Sequence, residues 1–197
     1  KFNMLNFKTI LTKPFLIVFF LAVTMTNTQA NDSNSNIIKM EITQNAEITD
    51  PSETPPVVEV VIKLFPDIAP KHASQISLLA REGFYDGIIF HRVIDGFMAQ
   101  TGDPTGTGMG GSDLPDIRAE FNDKPFVRGT LGMARSQHPD SANSQFFICF
   151  GEASFLNGQY TVFGEVIEGM EYVDKILRGE PPEYPDKIIS MKVSNDG

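Results

Sequence analysis

Apolar and polar residues alternate with a period of two in several short stretches of this chain. Ile38, Met40 and Ile42 alternate with Lys39 and Glu41, the pattern of a strand that buries one face. Val58, Val60, Ile62 and Leu64 repeat it against Glu59 and Lys63, which predicts a strand over Val57–Phe65. Further strands are predicted over Ile88–Arg92, Phe97–Gln100, Gly129–Ala134, Ser144–Phe150, Thr161–Val166 and Lys187–Val193. Within Gly129–Ala134, Leu131 and Met133 point one way, and Thr130, Gly132 and Ala134 the other. Helical spacing takes over in two places. Ala69, Ala73, Ile76 and Ala80 form a stripe along Ile68–Glu82, with Pro70 in the first turn and Gly83 just past the end. Tyr172, Val173 and Ile176 predict a shorter helix over Glu171–Leu177. Thr43–Pro56 carries Asp50-Pro51-Ser52 and Thr54-Pro55-Pro56, a turn-rich insert between two strands. Many short strands with two helices predict a mainly β fold, a closed eight-stranded antiparallel β-barrel capped by two α-helices.

The first thirty residues follow a different pattern. Lys1, Lys8 and Lys13 precede an apolar run, Phe15–Val23, and small and polar residues lead to Thr28-Gln29-Ala30. A basic start, a short apolar centre and a small residue before a cut are the parts of a secretory signal peptide. The apolar run is too short to span a bilayer. Residues 1–30 are therefore expected to be a signal peptide cut after Ala30, and 31–36 a disordered polar linker. The folded domain is expected over 37–197, with the insert at 43–56. A periplasmic or secreted protein follows, with no stable membrane insertion after cleavage, and a monomer is the expected state. The 197 residues suffice for one such domain.

The formal charge of the chain is −9. Without the first thirty residues, which hold three lysines and no acid, 13 basic residues stand against 25 acidic ones, a net of −12. That balance argues against nucleic acid or an anionic membrane surface as partner, because both need basic patches. A single cysteine, Cys149, lies in the apolar run Phe146–Phe150 and reads as a small buried hydrophobe. His72, His91 and His138 lack the spacing of a metal cluster, so no metal and no cofactor are expected. The glycine-rich stretch Thr101–Asp113 has no Gly-Lys-Ser/Thr ending and opens no helix. It reads as a loop that lies flat against an extended peptide rather than as a phosphate loop.

The candidate chemistry centres on Phe90–Pro104. One cation, Arg92, stands among Phe90, Phe97 and Met98, with the amide of Gln100 close by and Gly96 and Gly102 to turn the backbone. On a later strand Gln145, Phe147 and Cys149 share one face and offer the same ingredients. An apolar pocket with few placed polar groups is how proteins hold small uncharged groups. Ser144 and His138 lack a supporting acid and oxyanion donors, so hydrolysis is not expected.

The runs Phe90-His91-Arg92, Gly96-Phe97-Met98-Ala99-Gln100, Ser144-Gln145-Phe146-Phe147-Ile148 and Val162-Phe163-Gly164 resemble the signature segments of the cyclophilins, a class of peptidyl-prolyl cis-trans isomerases. The resemblance extends over Val57–Val193. It implies that Arg92 is the catalytic residue and that Phe97, Met98, Phe147 and Leu156 wall a proline pocket. Gln100 and Gln145 would bond the peptide or hold the arginine, and Ala134 would touch the substrate. His91, on the opposite strand face, is assigned a structural role. Three positions depart from the familiar eukaryotic pattern: Phe155 stands for a tryptophan, Tyr160 for a histidine and Arg135 for an asparagine that acts through its backbone. Phe155 lacks the indole N–H that bonds cyclosporin, so only weak binding of that drug is expected.

Isomerisation needs no nucleophile, acid or base. Twisting an Xaa-Pro bond breaks amide resonance behind a barrier of about 18 to 20 kcal/mol. At the midpoint the prolyl nitrogen holds its lone pair, and a fixed donor aimed at it favours the transition state over both ground states. The expected function is thus acceleration of Xaa-Pro rotation in proline-containing polypeptides, with Arg92 bonding the prolyl nitrogen. The alternative is a proline-peptide binding module or holdase chaperone without turnover.

Overall fold

The computed structural model describes residues 36–48, 50 and 52–194. The expected signal peptide, its cut after Ala30 and residues 31–35 of the linker lie outside the described residues. At the linker's last residue, Asn36, the backbone carbonyl accepts the Leu64 N–H at 2.7 Å.

Eight strands form one antiparallel sheet: β1 (Ile37–Thr43), β2 (Val57–Leu64), β3 (Arg92–Ile94), β4 (Met98–Thr101), β5 (Thr130–Met133), β6 (Phe146–Cys149), β7 (Val162–Glu168) and β8 (Ile188–Val193). Their spatial order is β3-β4-β6-β5-β7-β2-β1-β8. The sheet is curled, and its two end strands do not pair as a ladder. They are joined by a seam: Val93 and Gly179 exchange both backbone hydrogen bonds, Phe90 N–H donates to Asp186 O, and Gly87 and Ile88 bond Ile188. Closure of the expected barrel is thus made by isolated bridges. The strand predicted over Ile88–Arg92 is displaced accordingly, since regular pairing begins only at Arg92.

Alternation places Ile38, Met40, Ile42, Val60, Ile62, Leu64, Leu131 and Met133 inside the curl, all buried with Phe146 and Phe163. Helix α1 (Pro70–Arg81) caps this core with Ala73, Ile76, Leu79 and Ala80. No side chain of its own caps α1. The carboxylate of Glu120 does so from a distant loop, accepting the backbone N–H groups of Lys71 and His72. Glu120 also takes the buried His72 ring at 2.6 Å, which gives that histidine a packing role. Gly83, with φ of 69°, turns the chain off the helix in a conformation that side chains disfavour. Helix α2 is a single turn, Met170–Val173, shorter than predicted.

The insert is fastened at its start. Gln44 is fully buried and donates to Tyr172 O, while the buried carboxylate of Asp186 accepts from Asn45 N, Leu177 N and Thr43 Oγ1. One acid therefore ties the insert, the chain beyond α2 and the entry to β8 together. Among the described residues no helix is long and apolar enough to cross a membrane.

Candidate active site

Strand register builds the site on the outer face of the curl. Arg92 pairs with Gln100, Gln100 with Phe147, and Phe147 with Gly132, so one row crosses four strands. Side chains two residues along a strand share a face, which adds Met98, Cys149 and Ala134. Phe126 and Ala153, from loops, and Leu156, from the 3-10 turn Ser154–Leu156, cover part of this face and make a second apolar cluster with Met98, Phe147, Cys149 and Val162. Gly132 makes room for it: Phe126 and Phe147 stack at 5.7 Å where a side chain would stand. Burial in this cluster pushes the Cys149 thiol up to about 12, so at neutral pH it is an inert hydrophobe.

What the cluster leaves open is a hollow of about 430 Å³. Arg92, Phe97, Met98, Gln100, Ala134, Arg135, Phe147, Phe155, Leu156 and Tyr160 line it, as does Gln159, which the sequence did not single out. Gln145 lies next door, in an adjoining hollow of about 530 Å³ under the glycine-rich loop. Gln100, Ala134 and Arg135 border both. Phe90 is not part of the site. Its ring is fully buried in the inner core, because the chain has not yet entered β3 and the alternation with Arg92 does not hold there.

The Arg92 guanidinium stands at the mouth of the hollow, 40 % exposed. Its Nε donates to Glu180 Oε2 at 2.8 Å and its Nη1 to Gln100 Oε1 at 3.5 Å. Gln100 Nε2 donates to Gln145 Oε1 at 2.9 Å, and Gln145 Nε2 to the carbonyls of Gly108 and Gly110. Glu180 was not foreseen: it lies 88 residues away, and no sequence spacing points to it.

Arg135 is held on the opposite rim. It donates to Ser136 O, Gln137 O and Gln159 O and lies over the Tyr160 ring at 4.4 Å. Tyr160 meets Phe147 edge to face at 6.0 Å. Phe155 is 63 % exposed and leans on Phe97 at 5.3 Å.

His91 is buried and lines neither hollow; its ring packs behind Gly108, and burial lowers its pKa, keeping it neutral at pH 7. Ser144 is buried and donates to Gly102 O, while His138 is exposed and accepts the Asp140 N–H, so no Ser–His pair forms. Gly102 has φ of 87°, and a Cβ there would lie 2.9 Å from Gln145 Cα. This close approach draws the two motif-bearing segments together. Among the described residues no cluster of His, Cys, Asp or Glu could hold a metal.

A groove of two adjoining hollows, with an apolar floor and a tethered guanidinium on each rim, Arg92 and Arg135, fits an extended peptide that seats a compact apolar ring. Comparison with known proteins agrees. The family model described as cyclophilin type peptidyl-prolyl cis-trans isomerase/CLD matches residues 52–193. A probable peptidyl-prolyl cis-trans isomerase of Brucella suis is 51 % identical over 173 residues, covering 78 % of this chain and 88 % of its own. The crystal structure of a cyclophilin from Hirschia baltica aligns with a TM-score of 0.71 at 28 % identity, covering 83 % of this chain and 76 % of that one. A Cryptosporidium parvum cyclophilin type isomerase, crystallised in the presence of the dipeptide Ala-Pro, aligns with a TM-score of 0.66 at 28 % identity, covering 80 % and 99 %. The chain belongs to the cyclophilin-type peptidyl-prolyl cis-trans isomerases, and its activity is cis-trans isomerisation of Xaa-Pro bonds in proline-containing peptides.

Proposed function

We propose that Arg92 is the electrostatic catalyst of this isomerisation. The carrying observation is its placement: a guanidinium beside a hollow of about 430 Å³ that Phe97, Met98, Phe147 and Leu156 floor, tethered through Nε and Nη1. No described residue takes Nη2, which is left to donate to the prolyl nitrogen as the bond twists. A guanidinium stays protonated and is not consumed, so it serves every cycle. Phe97, Met98, Phe147 and Leu156 seat the prolyl ring and exclude water, which strengthens the interaction. Gln100 and Gln145 hold the arginine or bond the peptide. The backbone at Ala134 and Arg135 borders the bound peptide, where the two hollows meet. Phe155 presents a ring without an N–H, which supports weak rather than tight binding of cyclosporin. The basic and apolar start of the sequence supports export to the periplasm or beyond.

The test follows cis-to-trans conversion of a short Xaa-Pro peptide. Arg92→Ala lowers kcat/KM at least about tenfold, some 1.4 kcal/mol of transition-state stabilisation. An unchanged rate removes the mechanism. Suppression of aggregation that survives Arg92→Ala, with no turnover in either protein, would favour a holdase instead.

A further inference from the structure

The stretch Asp103–Gly111 has almost nothing apolar to hold it. It forms no strand or helix, and its one large apolar side chain, Met109, is 90 % exposed. Its shape comes from a carboxylate. Asp103 is buried, and its Oδ1 accepts Thr105 N at 2.7 Å and Thr105 Oγ1 at 2.8 Å. Its Oδ2 accepts the N–H groups of Gly108 at 2.5 Å, Thr107 at 3.1 Å and Gly110 at 3.2 Å. The loop is wound around this acid so closely that a Cβ at Gly110 would overlap Oδ1. Burial raises the pKa of Asp103, but these donors outweigh it and bring it to about 2, so the acid is ionised at any working pH.

Winding has a consequence for the other side of the loop. With the N–H groups turned in toward the carboxylate, the carbonyls of Gly108 and Gly110 both meet the Gln145 side chain. Carbonyls only accept, so Gln145 must offer them its NH₂ and present Oε1 to its neighbour. Gln100 then offers NH₂ to Gln145 and presents its own Oε1 to Arg92. The atom that faces the guanidinium is therefore set by the loop. Without the two carbonyls, either amide is free to rotate by half a turn and bring donors against donors.

We propose that Asp103 is a positioning residue for the isomerase: by winding the 103–111 loop it fixes the polarity of the Gln145–Gln100 relay and so the aim of Arg92. It touches no substrate. The inference rests on the reading of Arg92 as the catalyst.

The experiment measures kcat and KM for a short Xaa-Pro peptide with the full chain and its variants Asp103→Asn, Gly110→Ala, Gln145→Leu, Arg92→Ala and the double variant of Asp103→Asn with Gln145→Leu. Thermal melting of each confirms a folded protein. Asp103→Asn removes the charge and replaces an acceptor by a donor. Gly110→Ala keeps the charge but displaces the carboxylate, and it carries the test if Asp103→Asn does not fold. Each is expected to lower kcat about fivefold or more with KM within about twofold. In the Gln145→Leu background the relay is already cut, so adding Asp103→Asn lowers kcat less than about twofold further. A purely structural role would instead multiply the two losses, and that result overturns the proposal, as does unchanged kcat in both Asp103→Asn and Gly110→Ala. If Arg92→Ala abolishes turnover while Asp103→Asn does not touch it, only the positioning role falls. If Arg92→Ala turns over at the wild-type rate, the reading of Arg92 falls and this inference with it.

Discussion

Gly132→Ala adds one methyl group beneath the floor of the hollow beside Arg92, where the prolyl ring is proposed to sit. The new Cβ would stand 2.5 Å from Phe126 Cε1 and 2.7 Å from Phe147 Cε2, where ordinary contact begins near 3.4 Å. The rings must therefore withdraw by about 1 Å, and they are not equally free to do so. Phe126 is fully buried within the cluster, whereas Phe147 borders the open hollow. The strain should relax mainly by pushing Phe147 into the hollow, the space proposed for the prolyl ring. Overpacking of this kind costs about 1 to 3 kcal/mol. For a domain of this size that is a fall in melting temperature of about 2 to 12 °C. A ring displaced by about 1 Å in a seating pocket costs up to a hundredfold, and kcat/KM is expected to fall about tenfold or more. The assays are thermal unfolding followed by circular dichroism and the Xaa-Pro conversion assay, run on the same preparation. Wild-type melting and wild-type turnover together would refute the packing argument. Lost stability with full turnover would show that Phe126, not Phe147, gives way.

Two further outcomes are expected. Glu180→Ala removes an exposed ion pair worth about 0.2 to 1 kcal/mol, so kcat/KM should change less than about fivefold. A loss as deep as that of Arg92→Ala would mean that the Nε tether controls the catalyst. Asp103, whose folded pKa of about 2 lies below the ordinary carboxylate value near 3.9, contributes stability that is complete above about pH 5 and is lost as pH falls through 3.9 toward 2. The stability gap between wild type and Asp103→Asn, from urea unfolding, should be constant from pH 7 to about 5 and close below pH 4; a gap that widens there contradicts the assignment.

β1 and β2 were legible because Ile38, Met40, Ile42, Val60, Ile62 and Leu64 are buried while Lys39, Glu59 and Lys63 are exposed; β5 and β6 are buried throughout and showed only as short apolar runs. The site was legible where register does the assembling: Arg92, Gln100 and Phe147 are direct neighbours across β3, β4 and β6, so strand faces alone bring them together. Phe90 shows the limit of that rule. Two residues before Arg92 it should share the arginine's face, yet it bonds Asp186 in the seam and turns inward. Glu180, Phe126 and Glu120 reach their partners from loops, whose paths carry no periodicity to read. The role of Asp103 was hidden for another reason. A glycine-rich run announces freedom of the backbone but not the single acid around which that freedom is used.

The seam between 87–93 and 179–188 bears on how such an enzyme handles its substrates. An extended polypeptide, such as a proline-containing substrate, can join any unpaired strand edge through its backbone alone, whatever its sequence. Here the backbone groups of Gly87, Ile88, Phe90 and Val93 are already taken by residues 179, 186 and 188. Passing chains find no template in that stretch, and the sheet offers them no edge there to zip onto.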